Sequence, residues 1–312
     1  MRRRATVLLV VLGAIAVGVW QLWFVQSVNS VENAQAAQHA KPAKAARPAA
    51  PRRVERLLAG PARLQAHTFA PSLGSASAIL VDADTGRVLW ERRAHVRRPV
   101  ASTTKIMTAL LALERLSPHT VVTVDRSVPR VPLVREGLRA GEQVQAWKLL
   151  YAMMLYSGND DALALAIAAG GTRAKFVHLM NGRAKELGLH DTHYRSPSGV
   201  EDEDNYSSAW DLAALTRVAL RNSRFRTIVR TKIEHVSWAA PTYAKTYLNH
   251  NLMIGGYRGA DGVKTGYTHK AGHCLVASAT RHGQTLVAVV LDDPNMYADA
   301  KRLLNLGFRG YP

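Results

Sequence analysis

Cysteine is almost missing: Cys274 is the only one in 312 residues, so no disulfide can form within the chain. It lies in the apolar run "HCLVASA", where a small buried hydrophobe is expected and no charged neighbour activates a thiolate. Acidic residues are also scarce, with 23 Asp and Glu against 41 Lys and Arg and a formal charge of +18. The deficit is uneven, because residues 1–66 hold ten basic and two acidic side chains. Such a surface suits an anionic partner: nucleic acid, anionic lipid or an anionic wall polymer. Zinc-finger spacing, RNA-recognition motifs and helix-turn-helix signatures are absent, which argues against nucleic acid. His190 and His193 lie close together but have no third ligand in view, so neither a metal site nor a cofactor motif is expected. No internal repeat is present, and nothing fixes the oligomeric state.

What the chain does have begins at its N-terminus. "MRRR" precedes the apolar run "ATVLLVVLGAIAVGVWQLWFV", residues 5–25. About twenty apolar residues suffice to span a bilayer, and the arginines would stay in the cytoplasm. Residues 1–25 therefore read as a signal-anchor or signal-peptide helix. Ala34-Gln35-Ala36 offers a small-residue cleavage pattern, although far beyond the apolar run. Either reading implies export, with the chain held at the membrane by this helix or released after cleavage. Residues 26–74, rich in Ala, Pro, Lys and Arg, read as a solvated linker that could also touch anionic lipid or wall polymer.

A folded domain is expected over 75–312. "SAILVDADTGRVLWERR" alternates around Asp84-Thr85-Gly86, a hairpin signal. Helical periodicity dominates from 102 to about 231, with loops expected at 117–144 and 190–206. Ser208 and Asp211 mark a helix start. "GVKTGYT", "GHCLVASATR" and "TLVAVVLDD" read as strands, the last two turning at His282-Gly283-Gln284, and "MYADAKRLLNLGF" as a closing amphipathic helix. The fold class is α+β: a mainly antiparallel sheet built from both chain ends, with helices between and over it.

Three short stretches could carry chemistry. In "VASTTKIMTALLALE", Ser102 and Lys105 open an apolar helical run. Residues three apart share a helical face, so the amine can reach the hydroxyl. Desolvation there would lower the lysine pKa and make it a usable base. A capping serine with an outward lysine is the plainer alternative. Ser157-Gly158-Asn159 follows the apolar "WKLLYAMML", where small polar residues commonly cap or turn. Lys264-Thr265-Gly266 lies within a strand; Gly266 permits close backbone approach, although a strand lysine is ordinarily edge decoration.

Taken in order, Ser-x-x-Lys, Ser-x-Asn and Lys-Thr-Gly resemble the signatures of the penicillin-binding protein and serine β-lactamase superfamily. The flanks "RPVASTTKIMTALLALE", "SGNDDALALA", "FVHLMNGRAKELGLHDTHY", "GADGVKTGYTHKAGHCLVASATR" and "LLNLGF" look like the D-alanyl-D-alanine carboxypeptidase family, the low-molecular-mass penicillin-binding proteins. The resemblance spans about residues 75 to 312 and implies a β-lactamase/transpeptidase-like fold. It implies that Ser102 is the nucleophile on the terminal D-Ala-D-Ala bond of peptidoglycan stem peptides, Lys105 the general base and Ser157 a proton relay. Asn159, Lys264, Thr265 and Gly266 would bind substrate, and the backbone amides of Ser102 and Tyr267 would form the oxyanion hole. No cofactor is implied, and β-lactam antibiotics would be inhibitors that stop at the acyl-enzyme.

Rival readings share this machinery. A DD-endopeptidase, cutting cross-links, has the same three motifs. A β-lactamase of class A needs a deacylating glutamate, and this chain has "HYRSP" where the family resemblance places one. The acids at 201–204 read as a solvated loop. A non-catalytic wall-binding relative is opposed by the intact motif residues. The family often places an arginine near the substrate carboxylate where this chain has Met296, so of the contacts the resemblance implies, Thr265 with Lys264, none beyond Thr265 is assured. Many members also continue into a β-rich domain and a membrane-binding helix, so with Pro312 as its last residue attachment is expected from the N-terminus.

Overall fold

Residues 58–61, 72–132, 134–200, 205–238 and 243–309 are described by the computed structural model, all within one compact unit running from residue 53 to 312. The apolar run at 5–25, most of the 26–74 linker and the acids at 201–204 lie outside the described residues. No helix among the described residues is long and apolar enough to cross a membrane.

Six strands form the central sheet: β1 (Ala59–Pro61), β2 (Ser77–Asp82), β3 (Arg87–Arg92), β4 (Ala260–Thr268), β5 (Gly272–Arg281) and β6 (Gln284–Leu291). Their spatial order is β1-β3-β2-β6-β5-β4, antiparallel throughout except for β1 beside β3. Both ends of the chain build it, as expected. The short β1 is an addition, since it falls inside the stretch read as linker. Its sequence, Ala-Gly-Pro, carries no strand pattern of its own, and the pairing with β3 alone defines it.

The two hairpins arise from their turn residues. At the β2–β3 turn the Asp82 carboxylate accepts from the Asp84 amide (3.1 Å) and from the amide and hydroxyl of Thr85 (both 2.8 Å), and Gly86 takes φ +79°. Between β5 and β6, His282 and Gly283 both have positive φ, the backbone of a tight hairpin that matches strand twist.

Among the described residues seven helices accompany the sheet: α1 (Lys105–Arg115), α2 (Ala146–Tyr151), α3 (Asn159–Gly170), α4 (Arg173–Glu186), α5 (Ala209–Ala219), α6 (Ser223–Arg230) and α7 (Met296–Arg309). Strand alternation sends residues to two cores. Leu80, Leu275, Leu286 and Val290 pack with Leu303 and Leu304 of α7 on one face. Ile79, Val81, Val276, Val287 and Val289 pack with the remaining helices on the other. Cys274 is fully buried there, and burial pushes its thiol up to about 11, as suits a packing residue. Every residue of α1 from Lys105 to Ala112 is buried, consistent with its apolar sequence all round. Ser208 caps α5 by accepting from the Asp211 amide at 3.1 Å, as expected.

The expected loop at 117–144 is partly structured. Val121–Thr123 pairs with Gln143–Gln145, and Ile233–Val236 pairs with Lys245–Leu248 as a second ribbon. These ribbons are too short for a period-2 pattern to stand out in sequence.

Candidate active site

The site forms where three elements meet. Ser102 lies in a 3₁₀ turn, Ala101–Thr104, that feeds directly into α1. Ala101 holds φ +46°, a conformation rare outside glycine, so the turn is held by its surroundings rather than by local preference. Ser102 is 8% exposed and Lys105 is wholly buried. The Lys105 Nζ donates to Ser102 Oγ at 2.7 Å, to Asn159 Oδ1 at 2.7 Å and to the Ser198 carbonyl at 3.2 Å. The lysine therefore points inward at the serine, and the outward alternative is excluded.

The second stretch stands at the start of α3. The chain leaves α2 through a π-helical turn, Ala152–Tyr156, and Ser157 ends it in the left-handed region at φ 74°, ψ 29°. π-Helical turns recur at functional sites, and here the wider turn re-aims Ser157 and Asn159. Ser157 is half-buried, and its hydroxyl makes no hydrogen bond among the described residues. Asn159 is buried and engaged at both ends, accepting from Lys105 and donating to the Pro132 carbonyl at 3.1 Å. It orients Lys105, and its amide keeps one N–H and one oxygen lone pair beyond these two bonds.

The third stretch is on β4, the edge of the sheet. A Cβ on Gly266 would stand 3.0 Å from the Ser102 amide nitrogen and 3.1 Å from both Ala101 Cβ and the Val100 carbonyl. The strand therefore lies directly on the backbone of the serine turn, a contact that only glycine allows without displacement. Lys264 is 1% exposed and donates to the Thr265 carbonyl at 3.1 Å. Burial lowers its pKa to about 7. Thr265 is half-buried, and Tyr267 is exposed, its ring tilted against that of His273 with centroids 4.5 Å apart. The Ser102 amide is among the first of a helical turn, which lack partners within it. Beside it, the outer edge of β4 has no strand partner among the described residues.

Several supports are not evident from sequence. The segment "RSPSGV" stands out there only for lacking an acid, yet it braces the turn and helix that carry Ser102 and Lys105. Ser198 holds Lys105, the Pro197 carbonyl accepts from Thr108 Oγ1 at 2.6 Å, and Gly199 at φ +79° lies where a Cβ would be 2.1 Å from the Ala101 carbonyl. Asn205 donates to Thr104 Oγ1 at 3.1 Å. The Ser-Pro-Ser-Gly run is the available signal, since it marks a tight turn. Asp160 is a further support that the sequence does not single out. Its carboxylate accepts from the amides of Glu136 (2.8 Å), Gly137 (2.8 Å) and Leu138 (3.1 Å), and the Asn159 amide donates to the Val134 carbonyl at 2.8 Å. Behind them Asp161 is fully buried with neither carboxylate oxygen hydrogen-bonded; burial and then Asp160 raise its pKa well above the usual range. His190 and His193, by contrast, are apart from this centre, His193 forming a β-bridge with Tyr206. Met296 opens α7 and packs against its apolar core, so it offers nothing to a carboxylate.

A buried amine on a serine hydroxyl, beside an open strand edge, can generate an alkoxide, bind an extended peptide and pass through an acyl-enzyme. Comparison with known proteins agrees. The family model described as D-alanyl-D-alanine carboxypeptidase, peptidase S11, matches residues 65–295. A D-alanyl-D-alanine carboxypeptidase of Streptomyces sp. (strain K15) is 36% identical over 261 residues, covering 76% of this chain and 88% of that protein. A D-alanyl-D-alanine endopeptidase of Escherichia coli (strain K12) is 31% identical over 241 residues, covering 75% and 77%. The crystal structure of the Streptomyces K15 DD-transpeptidase superposes with a TM-score of 0.73 at 35% identity, covering 78% of this chain and 100% of that one. Other carboxypeptidases that match are longer, and the chain spans 62% of their length. With its helix-borne serine and lysine and its antiparallel sheet, the chain belongs to the D-alanyl-D-alanine carboxypeptidase family of serine peptidases.

Proposed function

We propose that this chain removes the terminal D-alanine from peptidoglycan stem pentapeptides. The observation that carries the reading is the 2.7 Å contact between Lys105 Nζ and Ser102 Oγ inside a fully buried helix start. The peptide adds to the free edge of β4 as an extra strand, placing its terminal D-Ala-D-Ala carbonyl over Ser102. Lys105 takes the hydroxyl proton as Oγ attacks that carbonyl, and the amides of Ser102 and Tyr267 stabilise the oxyanion. The C–N bond then breaks, and the proton reaches the departing D-alanine amine through Ser157. Lys264 and Thr265 bind the terminal carboxylate; a lysine titrating near 7 serves as carboxylate partner below that pH and as proton carrier around it. Water attacks the acyl carbon, Lys105 accepts its proton, and Ser102 is released. Penicillins acylate the same serine.

The arginines at 2–4 and the apolar run at 5–25 support export, with the domain outside the cytoplasm and held or released by that segment. Cell fractionation with an antibody to the domain tests this; recovery in the cytoplasm would refute it. The similarity to an endopeptidase favours cross-link cleavage as the second reading. Assay of D-alanine release from a soluble stem pentapeptide, beside a cross-linked stem dimer, separates them. Free D-alanine from the pentapeptide supports the first; cleavage of the dimer alone would replace it with the second.

A further inference from the structure

Two unfavourable features meet on one short stretch. Ser157 is held in the left-handed region at φ 74°, a conformation that costs any residue with a side chain. Four residues on, Asp161 is fully buried, and neither of its carboxylate oxygens has a hydrogen-bond partner among the described residues. Burying a polar group without a partner also costs stability. Neither feature helps the fold, and both fall on Ser157-Gly158-Asn159-Asp160-Asp161, which carries two of the site's side chains. Costs of this kind persist where function requires the geometry they accompany.

The Asp161 side chain folds back beneath Gly158. A Cβ on Gly158 would overlap Asp161 Oδ2 and stand 3.0 Å from Asp161 Cγ, with Asp160 Oδ1 next at 3.2 Å. Gly158 itself has φ −58° and ψ 129°, a backbone that any residue adopts. Space rather than conformation therefore restricts position 158 to glycine, and Asp161 takes up that space. Gly158 joins Ser157 to Asn159, so shifting it moves both the Ser157 hydroxyl and the Asn159 oxygen that Lys105 Nζ reaches at 2.7 Å. Asp160 cannot take this part, because its oxygens are held by the amides of residues 136–138 and 161. Burial first, then Asp160 and Glu136, push the Asp161 carboxyl towards its neutral form, with Lys245 and Lys105 opposing. The group acts by its shape more than by its charge.

We propose that Asp161 is a positioning residue for the reaction at Ser102, its carboxyl forming the wedge under Gly158 that aims Ser157 and Asn159. Being fully buried, it acts only through that turn. This role rests on the proposed acyl-enzyme chemistry.

The test is the rate of Ser102 acylation at saturating penicillin, read well below the melting temperature of each variant. Asp161→Ala removes the wedge and should slow acylation at least about tenfold, since misplacement by about 1 Å suffices for that. Its melting temperature should stay close to the parent's, because an unpartnered buried carboxyl is lost with the packing. Gly158→Ala forces the turn off the wedge and should slow acylation comparably. In the double variant Gly158→Ala/Asp161→Ala the new methyl group fills the place of the lost carboxyl, so the rate should return to within about threefold of the parent. Asp161→Asn, uncharged and of the same shape, should restore most of the rate lost in Asp161→Ala. A parent-like rate in Asp161→Ala, or a double variant as slow as the product of the two single losses, would overturn the assignment. A lowered melting temperature with an unchanged rate would make Asp161 a purely structural residue and overturn it as well. Should Gly158→Ala alone fail to fold, Asp161→Ala and the double variant still decide. A parent left unacylated at Ser102 would refute the proposed function itself, a result visible before any variant is made.

Discussion

Lys105 and Lys264 are both buried, yet their surroundings differ. Lys105 has Ser102, Asn159 and the Ser198 carbonyl as oxygen partners, whereas Lys264 donates to its neighbour's carbonyl. Burial alone brings Lys264 from 10.5 to about 7. A lysine depressed in the folded state favours folding above its unfolded value of 10.5, and that contribution is lost as pH falls through about 7. Lys264→Met should therefore exceed the parent in stability at pH 6, and the difference should shrink towards pH 10. Urea unfolding at both pH values measures this; a difference independent of pH would contradict burial as the cause. The same variant should be acylated by penicillin at least about a hundredfold more slowly, because an electrostatic partner in the groove is gone. Gly266→Val should have a comparable effect on acylation for a different reason, since its side chain would push β4 off the Ser102 amide.

The helix that opens on Lys105 depends on its neighbours as much as on its own sequence. Ser102 and Lys105 are legible in sequence because three residues of helix suffice to juxtapose them, and Lys264-Thr265-Gly266 because glycine in a strand signals close approach. Ser198 and Pro197 are not, because their contacts reach back 93 and 89 residues to Lys105 and Thr108 through backbone carbonyls that carry no residue signature. The same holds for Asp160, whose spacing from the 136–138 amides is set by tertiary packing. Gly199→Ala tests the first support. With φ +79° and a backbone carbonyl 2.1 Å from the added carbon, it should destabilise by about 2 kcal/mol or more and slow acylation even where the protein remains folded. Asp160→Ala tests the second. Losing the acceptor of three amides should cost about 3 kcal/mol and expose residues 136–138 to proteolysis, measurable by limited digestion. Parent-like digestion of that variant would mean the segment is held by other contacts.

The molecule as a whole places Ser102, Lys105 and Lys264 on the side of the sheet covered by the larger core. α7 covers one face of the sheet and the α1 cluster the other, so β4 is fixed from its β5 side, and its outer edge has no strand partner among the described residues. The α+β class and the joining of both chain ends in one sheet are legible in the alternating runs at 77–92 and 260–291. Strand β1 and the two short ribbons are not, because pairing rather than pattern creates them. All of the proposed catalysis rests on one nucleophile. Incubation with penicillin, digestion and mass analysis should find the intact mass of the drug added to the peptide that contains Ser102, and no adduct in Ser102→Ala. An unmodified Ser102 peptide, or an adduct that persists in Ser102→Ala, would contradict it.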